Sequence, residues 1–204
     1  MTGKRLGIFG GTFNPPHLGH VRAAQAAAQA LGLTVLFIPD NIPPHKEMPE
    51  NSPTPEQRLD MVRLAAQDVP GALVLDLELR RGSRSYTADT LEELAALYPD
   101  DELWLIVGTD MLMTLHRWYH PERIFRYAHV AALARNTGDM PGIEEAAKRL
   151  REQYGAVIEL VDAEPLPVSS TQIREGLYKG TEKYLPGQVF AYIKERGLYL
   201  DAGY

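Results

Sequence analysis

Residues Leu6 to His20 read LGIFGGTFNPPHLGH, and this stretch decides the fold. Leu6, Ile8 and Phe9 are apolar and two glycines follow at once, the pattern of a buried parallel strand entering a tight turn. Gly10 and Gly11 carry no Cβ, so the backbone can adopt positive φ and lie close against a ligand. Pro15 and Pro16 stiffen the turn and keep it from becoming helical. The alanine-rich VRAAQAAAQAL that follows Gly19 and His20 favours helix. A strand, a glycine turn and a helix start make an anion site, because unpaired N–H groups and the helix dipole both face the turn. His17 and His20 stand beside it with two imidazoles.

Neither GxxxxGK[ST] nor GxGxxG occurs in this turn, so it is not one of the common phosphate loops. His17-Leu18-Gly19-His20 instead resembles the HxGH signature of the nucleotidyltransferase superfamily, in which both histidines face the phosphates of a nucleoside triphosphate. Read without that resemblance, the pair is two histidines in a polar turn near a helix cap.

The rest of the chain repeats the alternation. Thr34–Ile38 reads as a second buried strand, and proline-rich 40–53 as a loop. Thr54, Pro55 and Gln57 spell a helix start with a capping box, followed by an apolar stripe of Leu59, Val62, Ala66 and Val69. Ala72–Leu77 is expected to be a third strand, 80–86 a polar link, and Thr87–Leu97 a helix. Leu103–Val107 is the most hydrophobic strand and is expected at the centre of the sheet. Two short helical pieces, a strand at His129–Ala134, a helix at Gly142–Tyr154 and a strand at Val157–Val161 follow. Helical pieces at Ser169–Leu177 and Pro186–Arg196 close the chain. This order predicts a doubly wound, Rossmann-like parallel sheet of about six strands flanked by helices, with right-handed crossovers and the ligand beyond the strand ends. The expectation is one domain over the whole chain, ending in a small helical subdomain.

Composition bounds the function. The chain has 204 residues, a net charge of −6, no basic tract and no cysteine. Nucleic acid held by phosphate neutralisation is not expected as a partner, whereas a small anionic substrate needs only a local positive site. Thiolate catalysis and Cys-ligated zinc are excluded. No apolar run suits a signal peptide or a membrane span, so the expectation is a cytoplasmic protein with no membrane partner, and a homo-oligomer is left open.

Four more segments fall where such a fold places ligands. They are Pro43-Pro44-His45-Lys46, SYTADTL from Ser85, GTDMLMTLHRW from Gly108, and VSSTQIR from Val168. Each has a plain reading: a loop lysine, helix-capping Ser85 and Thr87, a core Trp118, an N-cap cluster at Ser169–Thr171 with a solvated Arg174. Together with the opening motif they resemble the bacterial nicotinate-nucleotide adenylyltransferases, over nearly the whole chain. HxGH and the terminal SSTxxR element are shared more widely in the superfamily, whereas PPHK, SYTADTL and the Asp110–Trp118 segment narrow the branch.

That resemblance implies adenylyl transfer from ATP to nicotinate mononucleotide, yielding deamido-NAD and pyrophosphate in NAD biosynthesis. It implies ATP contacts from Gly10, Gly11, Thr12, Phe13, His17, His20, Lys46, Asp110, Ser169, Ser170, Thr171 and Arg174, with His17, His20 and Arg174 catalytic. It implies an acceptor site at Ser85, Tyr86, Thr87, Trp118 and Tyr119, with Trp118 stacked on the pyridine ring. Mg²⁺ is expected on the ATP phosphates and waters rather than in a protein cage. The nucleophile is a phosphate monoester with a second pKa of about 6, so no strong base and no covalent intermediate is needed. Other acceptors on the same fold are nicotinamide mononucleotide, phosphopantetheine or a cytidylyl acceptor. A class I aminoacyl-tRNA synthetase fragment would want a KMSKS-type loop, which is absent. A nucleotide-binding regulator would be expected to have a broken HxGH or to lack Arg174, and both are intact.

Overall fold

Short apolar runs separated by helical stretches can pair in parallel only through crossovers. The computed structural model, which describes residues 3–43, 47–134, 140–164, 166 and 168–200, has that organisation. Its strands are β1 (Arg5–Gly11), β2 (Thr34–Pro39), β3 (Leu73–Val74), β4 (Glu102–Gly108), β5 (Ala128–Ala134) and β6 (Ile158–Asp162). They form one sheet in the order β3-β2-β1-β4-β5-β6. β4 pairs in parallel with β1 on one side and β5 on the other, and β5 pairs in parallel with β6. The order reverses between β1 and β4, the switch point of a doubly wound sheet. Leu103 to Val107 are all buried, as their unbroken hydrophobicity requires of a central strand.

The helices are α1 (Leu18–Leu31), α2 (Pro55–Ala66), α3 (Leu77–Arg81), α4 (Thr87–Leu97), α5 (Thr109–Thr114), α6 (Pro121–Tyr127), α7 (Met140–Tyr154), α8 (Ser170–Gly176) and α9 (Gly187–Glu195). Among the described residues no helix is long and apolar enough to cross a membrane. The capping box forms as spelled: Gln57 N donates to Thr54 Oγ1 at 3.2 Å, and Thr54 N donates to Gln57 Oε1 at 2.9 Å.

The chain falls into two compact units. One is Met1–Phe9, Ala23–Leu36 and Tyr86–Pro165; the other is Gly10–Arg22, Phe37–Ser85 and Leu166–Tyr204. The first carries β4 to β6 and α4 to α7, and the second carries the glycine turn, α2, β3, α3, α8 and α9.

The third strand is shorter than expected. It ends at Val74, and Leu77 opens α3 instead of closing a strand. Leu, Glu and Arg are good helix formers, an Asp76–Arg80 ion pair at 3.0 Å spans the first turn, and Gly82 ends the helix with φ 69°. The polar link therefore shrinks to 82–86.

Candidate active site

The turn after β1 is built differently from its sequence reading. Gly10 and Gly11 finish the strand, and neither takes positive φ; that conformation falls on Phe13, at φ 48°. A Cβ on Gly11 would stand 3.2 Å from the Phe13 ring, so this glycine provides room for an aromatic. The ring is buried, meets His20 edge-on at 5.1 Å and lies 6.0 Å from Phe37. This packing holds a bulky residue in a region that it otherwise avoids.

A polar clamp secures the turn. Thr12 Oγ1 donates to Asp40 Oδ2 at 2.7 Å, and Asp40 N donates to Gly11 O at 3.0 Å. Arg58, from the buried face of α2, donates through Nη1 to Thr12 O (2.8 Å) and Asp40 Oδ1 (3.0 Å) and through Nη2 to Asn41 O (3.0 Å). Asn14 is buried just beyond, before a cis Asn14–Pro15 bond. Its Nδ2 donates to Ser52 Oγ at 3.1 Å, and its Oδ1 accepts from Tyr199 Oη at 2.7 Å.

The two histidines follow. His17 is buried, and its ring lies 3.7 Å from that of His20, centroid to centroid. Gly19 N donates to His17 Nδ1 at 3.1 Å, and His17 N donates to His20 Nδ1 at 3.1 Å. With Nδ1 of each ring used as an acceptor, Nε2 is the nitrogen left to donate. His17 also does the work of an N-cap, since its ring accepts the N–H of the second residue of α1. The result is a pair of N–H donors at a helix start, a donor set that suits phosphate oxygens.

α8 reaches the same turn from the C-terminal part of the chain. Ser170 Oγ donates to Pro15 O at 2.9 Å, and Arg174 Nη1 donates to Asn14 O at 2.6 Å. Arg174 Nη2 donates to Thr171 Oγ1 at 3.1 Å. Ser169 caps α8: its Oγ accepts from Gln172 N at 3.2 Å, and its N donates to Gln172 Oε1 at 2.8 Å. The second unit thus gathers Gly10–Phe13, His17, His20, Ser169–Thr171 and Arg174. Lys46 lies outside the described residues.

The first unit carries Tyr86, Thr87, Asp110, Trp118 and Tyr119. Tyr86 precedes α4, no side chain caps that helix, and the Tyr86 ring lies on Tyr119 at 4.3 Å and 31°. Thr87 is the first residue of α4. Trp118 follows a 3-10 turn at Leu115–Arg117, where its N donates to Leu115 O at 3.1 Å. Asp110 is exposed in the first turn of α5. Arg123 of α6 fastens α4: it donates to Asp89 Oδ1 at 2.9 Å and to Glu92, which also accepts from Tyr127 Oη at 3.0 Å. Ser85 is buried in the second unit, and its Oγ accepts from Asn41 N at 3.0 Å, tying down the loop after β2.

Asn14, Asp40, Arg58 and Tyr199 were not singled out by sequence. Arg58 had a signal, for it lies four residues before Val62 on the apolar stripe of α2, and a cation at a core position needs a buried partner. Tyr199 had none, because its partner is 185 residues away.

The cytidylyltransferase-like family matches residues 8–176. A probable nicotinate-nucleotide adenylyltransferase of Citrifermentans bemidjiense is 41% identical, over 97% of this chain and 99% of that one. Its namesake in Lachnoclostridium phytofermentans is 38% identical, over 97% and 100%. Among solved structures, Plasmodium falciparum nicotinic acid mononucleotide adenylyltransferase complexed with NaAD superposes with a TM-score of 0.78 at 18% identity, covering 96% of this chain and 97% of that one. At that identity the likeness speaks for the fold alone.

Proposed function

We infer the activity from the family to which this chain belongs: it is a member of the cytidylyltransferase-like family and, within it, of the nicotinate-nucleotide adenylyltransferases. It transfers the adenylyl group of ATP to nicotinate mononucleotide, forming deamido-NAD and pyrophosphate for NAD biosynthesis. The phosphate of the mononucleotide is mostly ionised at neutral pH and attacks the α-phosphorus of ATP as that atom's bond to the β-phosphate oxygen breaks. The protein is left to orient the two nucleotides and to neutralise charge as it builds up.

The observation that carries this reading is the shared tautomer of His17 and His20. Both Nδ1 atoms accept backbone N–H groups, so both rings offer Nε2–H donors where α1 begins. We assign these donors to the triphosphate, with His20 nearest the reacting phosphorus, and Gly10, Gly11, Thr12 and Phe13 to the turn around it. Ser169, Ser170, Thr171 and Arg174 hold the leaving β- and γ-phosphates, Lys46 is assigned a further phosphate contact, and Asp110 meets a ribose or the nucleotide region. Trp118 stacks on the pyridine ring. Amides at Thr87 and Tyr119 meet its carboxylate, with Tyr86 beside Tyr119.

The donor set also bears on the metal. Among the described residues no three His, Cys, Asp or Glu side chains converge on a common point, and the histidines present N–H groups rather than lone pairs. These residues fit a Mg²⁺ carried by the triphosphate, where it would offset negative charge, rather than by the protein. An enzyme drawing on two phosphorylated nucleotides, which do not cross membranes unaided, works in the cytoplasm. Incubation with ATP, Mg²⁺ and nicotinate mononucleotide tests the reading: deamido-NAD and pyrophosphate should appear in equal amounts, and no pyrophosphate from a folded protein overturns it.

A further inference from the structure

We propose that Arg58 is a positioning residue for adenylyl transfer, aiming the Thr12–Phe13 amide at the bound triphosphate. The inference rests on the activity assigned above. Arg58 is 1% exposed, and no acidic residue but Asp40 pairs with it among the described residues. Its Nε has no hydrogen-bond partner. A buried ion pair with an orphaned N–H is a poor way to stabilise a helix face, and a well-packed apolar residue at the same place would often serve stability as well. What the guanidinium does that no apolar side chain can is hold three oxygens at once: Thr12 O, Asp40 Oδ1 and Asn41 O.

The first of these contacts reaches the chemistry. In a trans amide the C=O and N–H point in opposite directions. Arg58 donates to Thr12 O, so the Phe13 N–H points away from the buried guanidinium. Asp40 fixes the same residue from its side chain, since its Oδ2 accepts from Thr12 Oγ1. The Phe13 φ of 48° completes a peptide plane set by its surroundings rather than by preference. Arg58 and Asp40 together are close to neutral, so their effect on a phosphate is through the direction of this amide and not through net charge. A donor preorganised in this way needs no reorientation as charge develops in the transition state.

The test uses Arg58→Ala and Arg58→Lys in the full chain, with circular dichroism for the fold and separate kcat and KM values for ATP and nicotinate mononucleotide. Misaligning a site at a distance can lower kcat by about a hundredfold, and that is the fall expected for Arg58→Ala, with little change in KM for the mononucleotide. Millimolar guanidinium should refill the cavity and restore part of the rate, saturably. Arg58→Lys keeps the charge but not the fork, and should stay slow. A wild-type kcat in either folded variant overturns the role, as does guanidinium that restores the melting temperature but not kcat. Should Arg58→Ala fail to fold, Arg58→Lys decides alone. If wild type itself releases no pyrophosphate, the assigned activity has failed; if wild type is active and the variants match it, only the role of Arg58 has.

Discussion

Gly19 donates its N–H to His17 Nδ1 at 3.1 Å, and a Cβ on Gly19 would stand 2.8 Å from that same nitrogen. The glycine between the two histidines is there so that an imidazole can lie across the start of a helix. Glycine within a helix costs about 0.5–1 kcal/mol relative to alanine, so the local preference is being overruled by the site. Gly19→Ala should therefore fold with a melting temperature close to wild type, because the helical gain offsets the displaced ring. Its kcat should fall about tenfold to a hundredfold as His17 is misaligned. Differential scanning calorimetry beside steady-state rates checks this, and an unchanged kcat would show that the placement of His17 does not matter.

His20 gives the complementary test. His20→Ala should keep the fold and lose about a hundred- to a thousandfold in kcat, as when one preorganised donor to developing charge is removed. His20→Asn refines it, because an amide oxygen can take over the bond from His17 N while supplying no Nε2–H. If His20→Asn were as fast as wild type, His20 would be a structural cap and nothing more.

Much of this could be read from sequence, and the reasons differ by element. The α2 capping box was legible because both its bonds are local, and β4 because a buried parallel strand must be apolar throughout. The boundary between β3 and α3 was not, since VLDLEL suits either state until the Asp76–Arg80 pair and Gly82 decide it. The turn was found, but its positive φ falls on Phe13 rather than on the glycines that could adopt it, a choice set by the packing of its ring against His20 and Phe37. Asp40, Arg58 and Tyr199 act through partners 17 to 185 residues away, beyond any local pattern.

Tyr199 anchors the turn from the far end of the chain. Its hydroxyl donates to buried Asn14 Oδ1, and Tyr199→Phe leaves that oxygen without its donor. Such a loss costs about 1–3 kcal/mol. Burial pushes the Tyr199 phenol well above its usual range, despite the opposing charges of Arg174 and Arg58. A raised folded-state pKa means that its contribution is fully present below the unfolded value of about 10 and is lost as pH rises further. The difference in stability between wild type and Tyr199→Phe should be flat from neutral pH to about pH 9 and should shrink above about pH 10. Urea melts across that range test it; a difference that shrinks between pH 7 and 9 would contradict the assignment.

Arg174 divides the two substrates. Its guanidinium bridges Asn14 O and Thr171 Oγ1, at the mouth of the turn assigned to ATP. Arg174→Ala should raise KM for ATP and slow transfer, with little effect on KM for the acceptor. If the acceptor KM rose more than the ATP KM, the two subsites would have been assigned the wrong way round.

The acceptor itself gives the sharpest test. Nicotinate and nicotinamide mononucleotides differ only in carboxylate against carboxamide, and a stacking platform at Trp118 holds either ring about equally. Discrimination therefore has to come from polar contacts at the substituent. The amides assigned to that role are at Thr87, where no side chain caps α4, and at Tyr119, whose ring lies on Tyr86. Backbone N–H groups suit an acceptor-only carboxylate, while a carboxamide must turn its NH₂ toward them or leave one unpaired. Each unpaired buried group costs about 1–3 kcal/mol, and a site built on such contacts can reject an analogue by up to ~10⁴-fold or more. Nicotinate mononucleotide should thus be strongly preferred. Trp118→Ala should damage both acceptors while leaving most of the preference intact. The measurement is kcat/KM for both mononucleotides in wild type and in Trp118→Ala. Equal wild-type values would make this a dual-specificity enzyme. A preference lost only in the variant would mean that Trp118 orients the carboxylate as well as stacking on the ring.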